Sequence, residues 1–145
     1  MKLYTIGFTK KSAEEFFGLL AANGVQKLVD IRLNNKSQLA GFAKGRELDF
    51  FSRKMLGIDY EHIVSYAPTK DLLARYRRGS ASWEDYEREF MDILKERKIL
   101  EDLDIHTLKD ACLLCSEEKP DQCHRRLLAE YIHQTYPEVE IVHLK

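Results

Sequence analysis

Three cysteines, a histidine and two arginines fall within one short stretch of this chain. Thr107 to Ile132 holds Cys112, Cys115 and Cys123, and Cys123 runs directly into His124, Arg125 and Arg126. Thiol, imidazole and guanidinium groups so close together support three chemistries: attack by a thiolate, capture of an anion, or coordination of a soft metal ion. Glu117 adds a carboxylate that could orient an arginine or accept a proton.

The elements that must position these groups are a strand, a loop and a helix. The apolar run Ala111 to Cys115 fits a buried strand, Ser116 to Asp121 reads as a loop, and Leu127, Leu128, Tyr131 and Ile132 recur at helical spacing. Pro120 suits the first helical position, and Asp121 is an alternative N-cap. Either start puts Cys123, His124 and Arg125 in or near the first turn, where unpaired N–H groups and the positive end of the helix dipole favour anions. Arginines are unfavourable for the helix at that end. Arg125 and Arg126 there imply that something negative arrives.

Thiol chemistry needs a lowered pKa. Cys115 ends a strand ahead of a loop, and Cys123 lies near a helix N-terminus beside His124 and two arginines, a setting that favours the thiolate. Sulfur transfer or phosphate-ester chemistry would follow, with Cys115, Cys123 and His124 as catalytic residues. The signature loop of cysteine-based phosphatases, however, carries an arginine at the position that Asp121 holds here. The alternative is that the cysteines fill the core as small apolar side chains. A metal site fits the spacing less well: on a strand, Cys112 and Cys115 point to opposite faces, and adjacent residues such as Cys123 and His124 seldom reach one ion. Neither a metal nor a cofactor is therefore expected.

The rest of the chain supplies a frame. Leu3 to Ile6 reads as a strand ended by Gly7. Ser12 and Glu15 form a capping box ahead of Ala13, Phe16, Phe17 and Leu20, a helix that stops near Asn23-Gly24. Lys27 to Ile31 is a second strand with Asp30 inside it, and Arg32 to Arg46 a loop. Glu47 to Leu56 predicts a helix with Leu48, Phe51 and Met55 inward, closed by Gly57, and Ile58 to Val64 a third strand. Pro68-Thr69 opens a helix carrying Leu72, Leu73 and Tyr76. Its basic end, Arg75, Arg77 and Arg78, suits a helix C-terminus, with a phosphate-contacting patch as the other reading. Ser82 and Asp85 begin the clearest helix, with Trp83, Tyr86, Phe90, Ile93 and Leu94 on one face, and Val139 to Val142 supplies the last strand. Alternating strands and helices predict a single-domain three-layer α/β/α fold with an open, mostly parallel sheet of about five strands.

Composition narrows the function classes. At 145 residues, 44% hydrophobic and 32% charged, the chain is sized for one domain with a true core, and this balance excludes disorder. A formal net charge of -1 gives no global field for nucleic acid. No stretch reaches the about 18 consecutive apolar residues of a membrane span, so no membrane partner is expected. An odd number of cysteines without a secretory signal points to reduced thiols in the cytoplasm.

The strand Leu113-Leu114-Cys115 followed by Glu117, Pro120 and Cys123-His124-Arg125 resembles the domain-of-unknown-function 488 family. Further marks are Thr5-Ile6-Gly7, Asp30-Ile31-Arg32 (the family usually shows Asp-Val-Arg), Ser37 and Phe42 in the following loop, and Tyr60 after Gly57-Ile58. The resemblance spans almost the whole chain and implies a cytoplasmic, single-domain α/β protein of microbial type. It brings no activity with it.

In open parallel sheets ligands bind beyond the carboxyl ends of the strands. Thr5 and Gly7, Asp30 and Arg32, and Cys115 and Glu117 all lie at such ends. The reading is a rim that binds a phosphate- or carboxylate-bearing ligand, a nucleotide or nucleic-acid end, through Gly7, Asp30, Arg32, Ser37, Glu117 and Arg125. Catalysis by the thiols is an addition to it. Two alternatives stand beside it: an Asp-Arg and Glu-Arg ion-pair lattice that only tethers loops, and an interaction module built on Arg75 to Arg78 and the loop Asn34 to Lys44. His62, His106, His133 and His143 form no constellation.

Overall fold

A computed structural model describes residues 1–36, 41–117 and 119–145. Strands and helices alternate as β1 (Lys2–Gly7), α1 (Ala13–Ala22), β2 (Lys27–Asp30), α2 (Gly45–Phe51), β3 (Asp59–His62), α3 (Lys70–Arg77), α4 (Trp83–Glu96), β4 (Ala111–Cys115), α5 (His124–Thr135) and β5 (Glu140–His143). Every strand pair is parallel, in the order β3-β2-β4-β1-β5. The strand that carries Cys112 and Cys115 is therefore the central one.

Alternation along the strands feeds two cores. Tyr4, Ile6, Leu28, Cys112 and Leu114 pack with Phe16, Phe17 and Leu20 of α1 and Leu48 of α2. Leu3, Val29, Ala111 and Leu113 face the other way, onto Leu72 of α3, Tyr86, Phe90 and Leu94 of α4, and Leu127, Leu128 and Ile132 of α5. The three layers are thus α/β/α. The helices sort by direction of travel: the chain moves toward one edge through α1 and α2, then reverses through α3, α4 and α5. Right-handed crossovers require that segregation.

Local chemistry sets the helix ends. The Ser12–Glu15 and Ser82–Asp85 capping boxes both form, and Thr69 accepts from the Leu72 N–H to open α3. Two expectations change. The second helix begins at Gly45 and passes into a π-turn over Ser52–Leu56, closed by Gly57 at φ 65°. Its wider spacing rotates the face that a 3.6-residue period assigns inward, and Met55 is left 59% exposed. The last helix starts at His124, with Cys123 as an extended N-cap (φ -139°, ψ 141°), so Pro120 and Asp121 remain in the loop. Among the described residues, no helix is long and apolar enough to cross a membrane.

Candidate functional site

The connections that follow β2 and β4 leave on opposite faces, although these two strands are neighbours. Between their carboxyl ends the sheet topology therefore opens a crevice, the usual place for a ligand in such a fold. A cleft of about 1070 Å³ lies there, and its walls include Arg32 from the end of β2, His62 from the end of β3, and Cys115, Glu117, Cys123 and His124 from the β4–α5 connection.

Arg32 is fixed by Asp30. The carboxylate receives Arg32 Nε at 2.8 Å on Oδ1 and Arg32 Nη2 at 2.7 Å on Oδ2, and the Arg32 backbone N–H also donates to Oδ1. Both side chains are buried, at 3% and 0% exposure. The Tyr60 hydroxyl donates to the same carboxylate, and burial together with that negative neighbour pushes the phenol well above its usual pKa. The guanidinium carbon lies 5.3 Å from the centre of the Phe8 ring. Two of the three guanidinium nitrogens are thus committed. The third, Nη1, is buried and has no hydrogen-bond partner among the described residues, and an unsatisfied buried donor is costly.

The thiol cluster forms the neighbouring wall. Cys115 Sγ lies 3.4 Å from His124 Nδ1, and the other ring nitrogen, Nε2, is 2.7 Å from the carbonyl oxygen of Ile31. A carbonyl only accepts, so Nε2 carries a proton toward Ile31, and Nδ1 is the ring atom that faces the Cys115 sulfur. The potential ligand atoms of Cys115, Cys123 and His124 all lie within 4.8 Å of one another. Hydrogen bonding from Cys123 lowers the Cys115 thiol pKa, helped by the Arg125 charge and the Ser116 and Glu117 backbone N–H groups against the cost of burial. Burial, and then Cys115 itself, push Cys123 up. Cys112 points to the opposite core, where burial raises its thiol pKa.

The remaining rim residues support these two groups from behind. Arg125 is fully buried and is absent from the cleft lining; its Nη1 donates to the Glu117 main-chain carbonyl and reaches Cys123 Sγ at 3.6 Å. Gly7 likewise lies outside the lining. A Cβ there would sit 1.6 Å from the Glu117 carbonyl oxygen, so glycine is what lets the loop close over the strand end. Arg126 binds the Asp121 carbonyl and Glu130. The two arginines at the helix start therefore clamp the loop, and the arginines that line the cleft are Arg32 and Arg77. Ser37 lies outside the described residues.

The three potential soft ligands are closer together than their spacing in the chain predicts. Cys112 is on the far face, as the strand period requires, but the extended backbone at Cys123 turns both Cys123 and His124 toward Cys115. The cleft is also lined by His62 and Lys70, which the expected rim did not include, and by Lys36 and Arg77, expected only in the loop and basic patch of an interaction module. His62 Nε2 meets the Arg32 carbonyl oxygen at 2.6 Å. Its place opposite Asp30 in the β2–β3 register brings it to the rim, a pairing that local spacing does not signal.

Fold and site together define a class: a three-layer, all-parallel α/β domain with a cleft at the carboxyl ends of its central strands. Within that class its family is a specific one. The family model described as Domain of unknown function DUF488 matches residues 12–132, most of the chain, and the protein belongs to that family. No curated protein and no solved structure matches it.

Proposed function

We propose that the cleft binds a phosphate- or carboxylate-bearing ligand of about nucleotide size. The observation that carries this reading is Arg32 Nη1, a buried guanidinium donor without a partner among the described residues, on a residue that lines the cleft. An incoming oxyanion would satisfy it, with Asp30 holding the fork in place. Among the described residues, the lining also carries the cations Lys36, Lys70 and Arg77 against the carboxylate of Glu117. Tyr76 and Tyr86 add an apolar wall suited to a flat ring.

Equilibrium titration with inorganic phosphate and with nucleoside monophosphates tests this. Binding should weaken as salt rises, and Arg32→Gln should weaken it by about 10- to 100-fold, the value of one charge-assisted hydrogen bond of about 1.5–3 kcal/mol. Arg32 is part of a buried pair, so Lys70→Ala and Arg77→Ala are the companion variants: both residues are exposed, and their loss should reduce affinity with folding intact. Failure of the unaltered protein to bind any phosphate or carboxylate compound at low salt would overturn the reading.

A further inference from the structure

We propose that Cys115, Cys123 and His124 form a binding site for a zinc-class divalent metal ion, with an open coordination position facing the cleft.

The distances fit such an ion. With zinc–sulfur bonds of about 2.3 Å and zinc–nitrogen bonds of about 2.0–2.1 Å, tetrahedral geometry puts sulfur and nitrogen about 3.6 Å apart and two sulfurs about 3.8 Å apart. Cys115 Sγ and His124 Nδ1 are 3.4 Å apart, and all three ligand atoms lie within 4.8 Å of one another. Side-chain shifts of about 1 Å or less close the set onto one ion.

The outer contacts fit as well. Metal-binding histidines characteristically donate their second ring N–H to a carbonyl or carboxylate, which fixes the tautomer. His124 does this at Ile31, leaving Nδ1 as the ligand atom. The Arg125 guanidinium beside Cys123 Sγ offsets thiolate charge. Cys123 makes no side-chain capping bond, so its sulfur is turned to Arg125 and the cluster rather than to its own helix. On binding, each thiol gives its proton to solvent and coordinates as thiolate.

Three protein ligands leave the fourth tetrahedral position open, the pattern of catalytic rather than structural zinc. All three ligands line the same cleft as Arg32, so that position opens toward the space proposed for the anion. The metal site stands apart from the anion reading: either could fail alone, because metal binding is measured without an anionic ligand.

The test uses full-length protein purified without a histidine tag. Zinc titrated against a chromophoric chelator should give one site per chain, and cobalt should give thiolate-to-metal charge-transfer bands. Cys115→Ser, Cys123→Ser and His124→Ala should each lower affinity by more than the roughly 10- to 100-fold that losing an outer partner costs. Cys112→Ala, on the opposite face, should leave affinity and spectrum unchanged. Should a ligand variant fail to fold, the cobalt spectrum of the unaltered protein still decides, since it reports thiolate ligation directly. Absence of stoichiometric binding, cobalt bound without thiolate bands, or alkylation of Cys115 that zinc does not slow would overturn the site. The last result would mark Cys115 as a free nucleophile.

Discussion

Replacing Asp30 by Asn removes one charge and almost no volume, and so isolates what holds Arg32 in place. The carboxylate accepts four hydrogen bonds: from Arg32 N, Nε and Nη2, and from the Tyr60 hydroxyl. An amide offers one oxygen. If that oxygen keeps the Oδ1 bonds, the new NH2 group faces Arg32 Nη2 and Tyr60; the hydroxyl can turn and accept, but Nη2 cannot. The variant therefore loses an ion pair and at least one charge-assisted bond at a site where both side chains are 3% exposed or less. Breaking a buried pair by removing one partner costs about 3–5 kcal/mol, whereas a surface pair is worth about 0–1 kcal/mol. With a urea dependence of about 2 kcal/mol per molar, the unfolding midpoint should fall by about 1.5–2.5 M. Tyr60→Phe removes a single bond to the same carboxylate and should cost less, about 1.5–3 kcal/mol. Asp30→Asn combined with Arg32→Gln should cost less than the sum of the single changes, since contacting partners are not additive. A loss under about 1 kcal/mol for Asp30→Asn, or full additivity, would refute the buried-pair argument and with it the claim that Asp30 presents Arg32 to the cleft.

Three further outcomes are expected. Gly7→Ala places a methyl group 1.6 Å from the Glu117 carbonyl oxygen and 2.9 Å from Arg125 Nη1, so the loop must move: about 1–3 kcal/mol of stability should be lost in urea melts, and Cys115 should alkylate faster. Ser82→Ala breaks the α4 capping box and should cost about 1 kcal/mol, a fall of about 2–4 °C in Tm by calorimetry. His143, with Nδ1 2.6 Å from Thr5 Oγ1, has a lowered pKa because burial and the Arg125 charge oppose its protonation. The unfolded chain then binds the proton more readily, so this contribution is present above the ordinary value of 6.5 and is lost as pH falls below it toward the folded value. Urea midpoints measured from about pH 7 to pH 5 should drop more steeply for the unaltered protein than for His143→Asn.

What the sequence made legible was local. Ala111 to Cys115 has the observed bounds of β4, because a short apolar run between turn-forming segments has little freedom of assignment. Both capping boxes were readable because each residue and its partner are three positions apart. Strand order was not legible, since parallel neighbours are joined by crossovers that leave no trace in local spacing. His62 was missed for the same reason: it meets the Arg32 carbonyl, thirty positions back in the chain. Arg125 was assigned to the ligand because its type suits anions, yet the direction of a side chain in a first helical turn depends on where the helix begins. Here Cys123 is the cap, and Arg125 turns back under the loop to the Glu117 carbonyl.

The segment Asp30-Ile31-Arg32 explains why the two halves of the cleft adjoin. Asp30 ends β2 opposite Leu114, and Ile31 continues the ladder by donating its N–H to the Leu114 carbonyl. That pairing presents the Ile31 carbonyl to His124 Nε2, which sets the imidazole tautomer. The next residue, Arg32, is locked back onto Asp30, and its own carbonyl meets His62. Three consecutive residues thus orient a guanidinium, one imidazole of the thiol cluster and a second histidine from the edge strand. Alternating strand geometry does the sorting: the Asp30 and Arg32 side chains lie two positions apart and can meet on one side, while the peptide between them is free to serve the neighbouring strand's connection. A one-residue slip of β2 against β4 would misplace all three at once, so the register of these two strands is the structural condition for both the anion donor and the soft-ligand cluster.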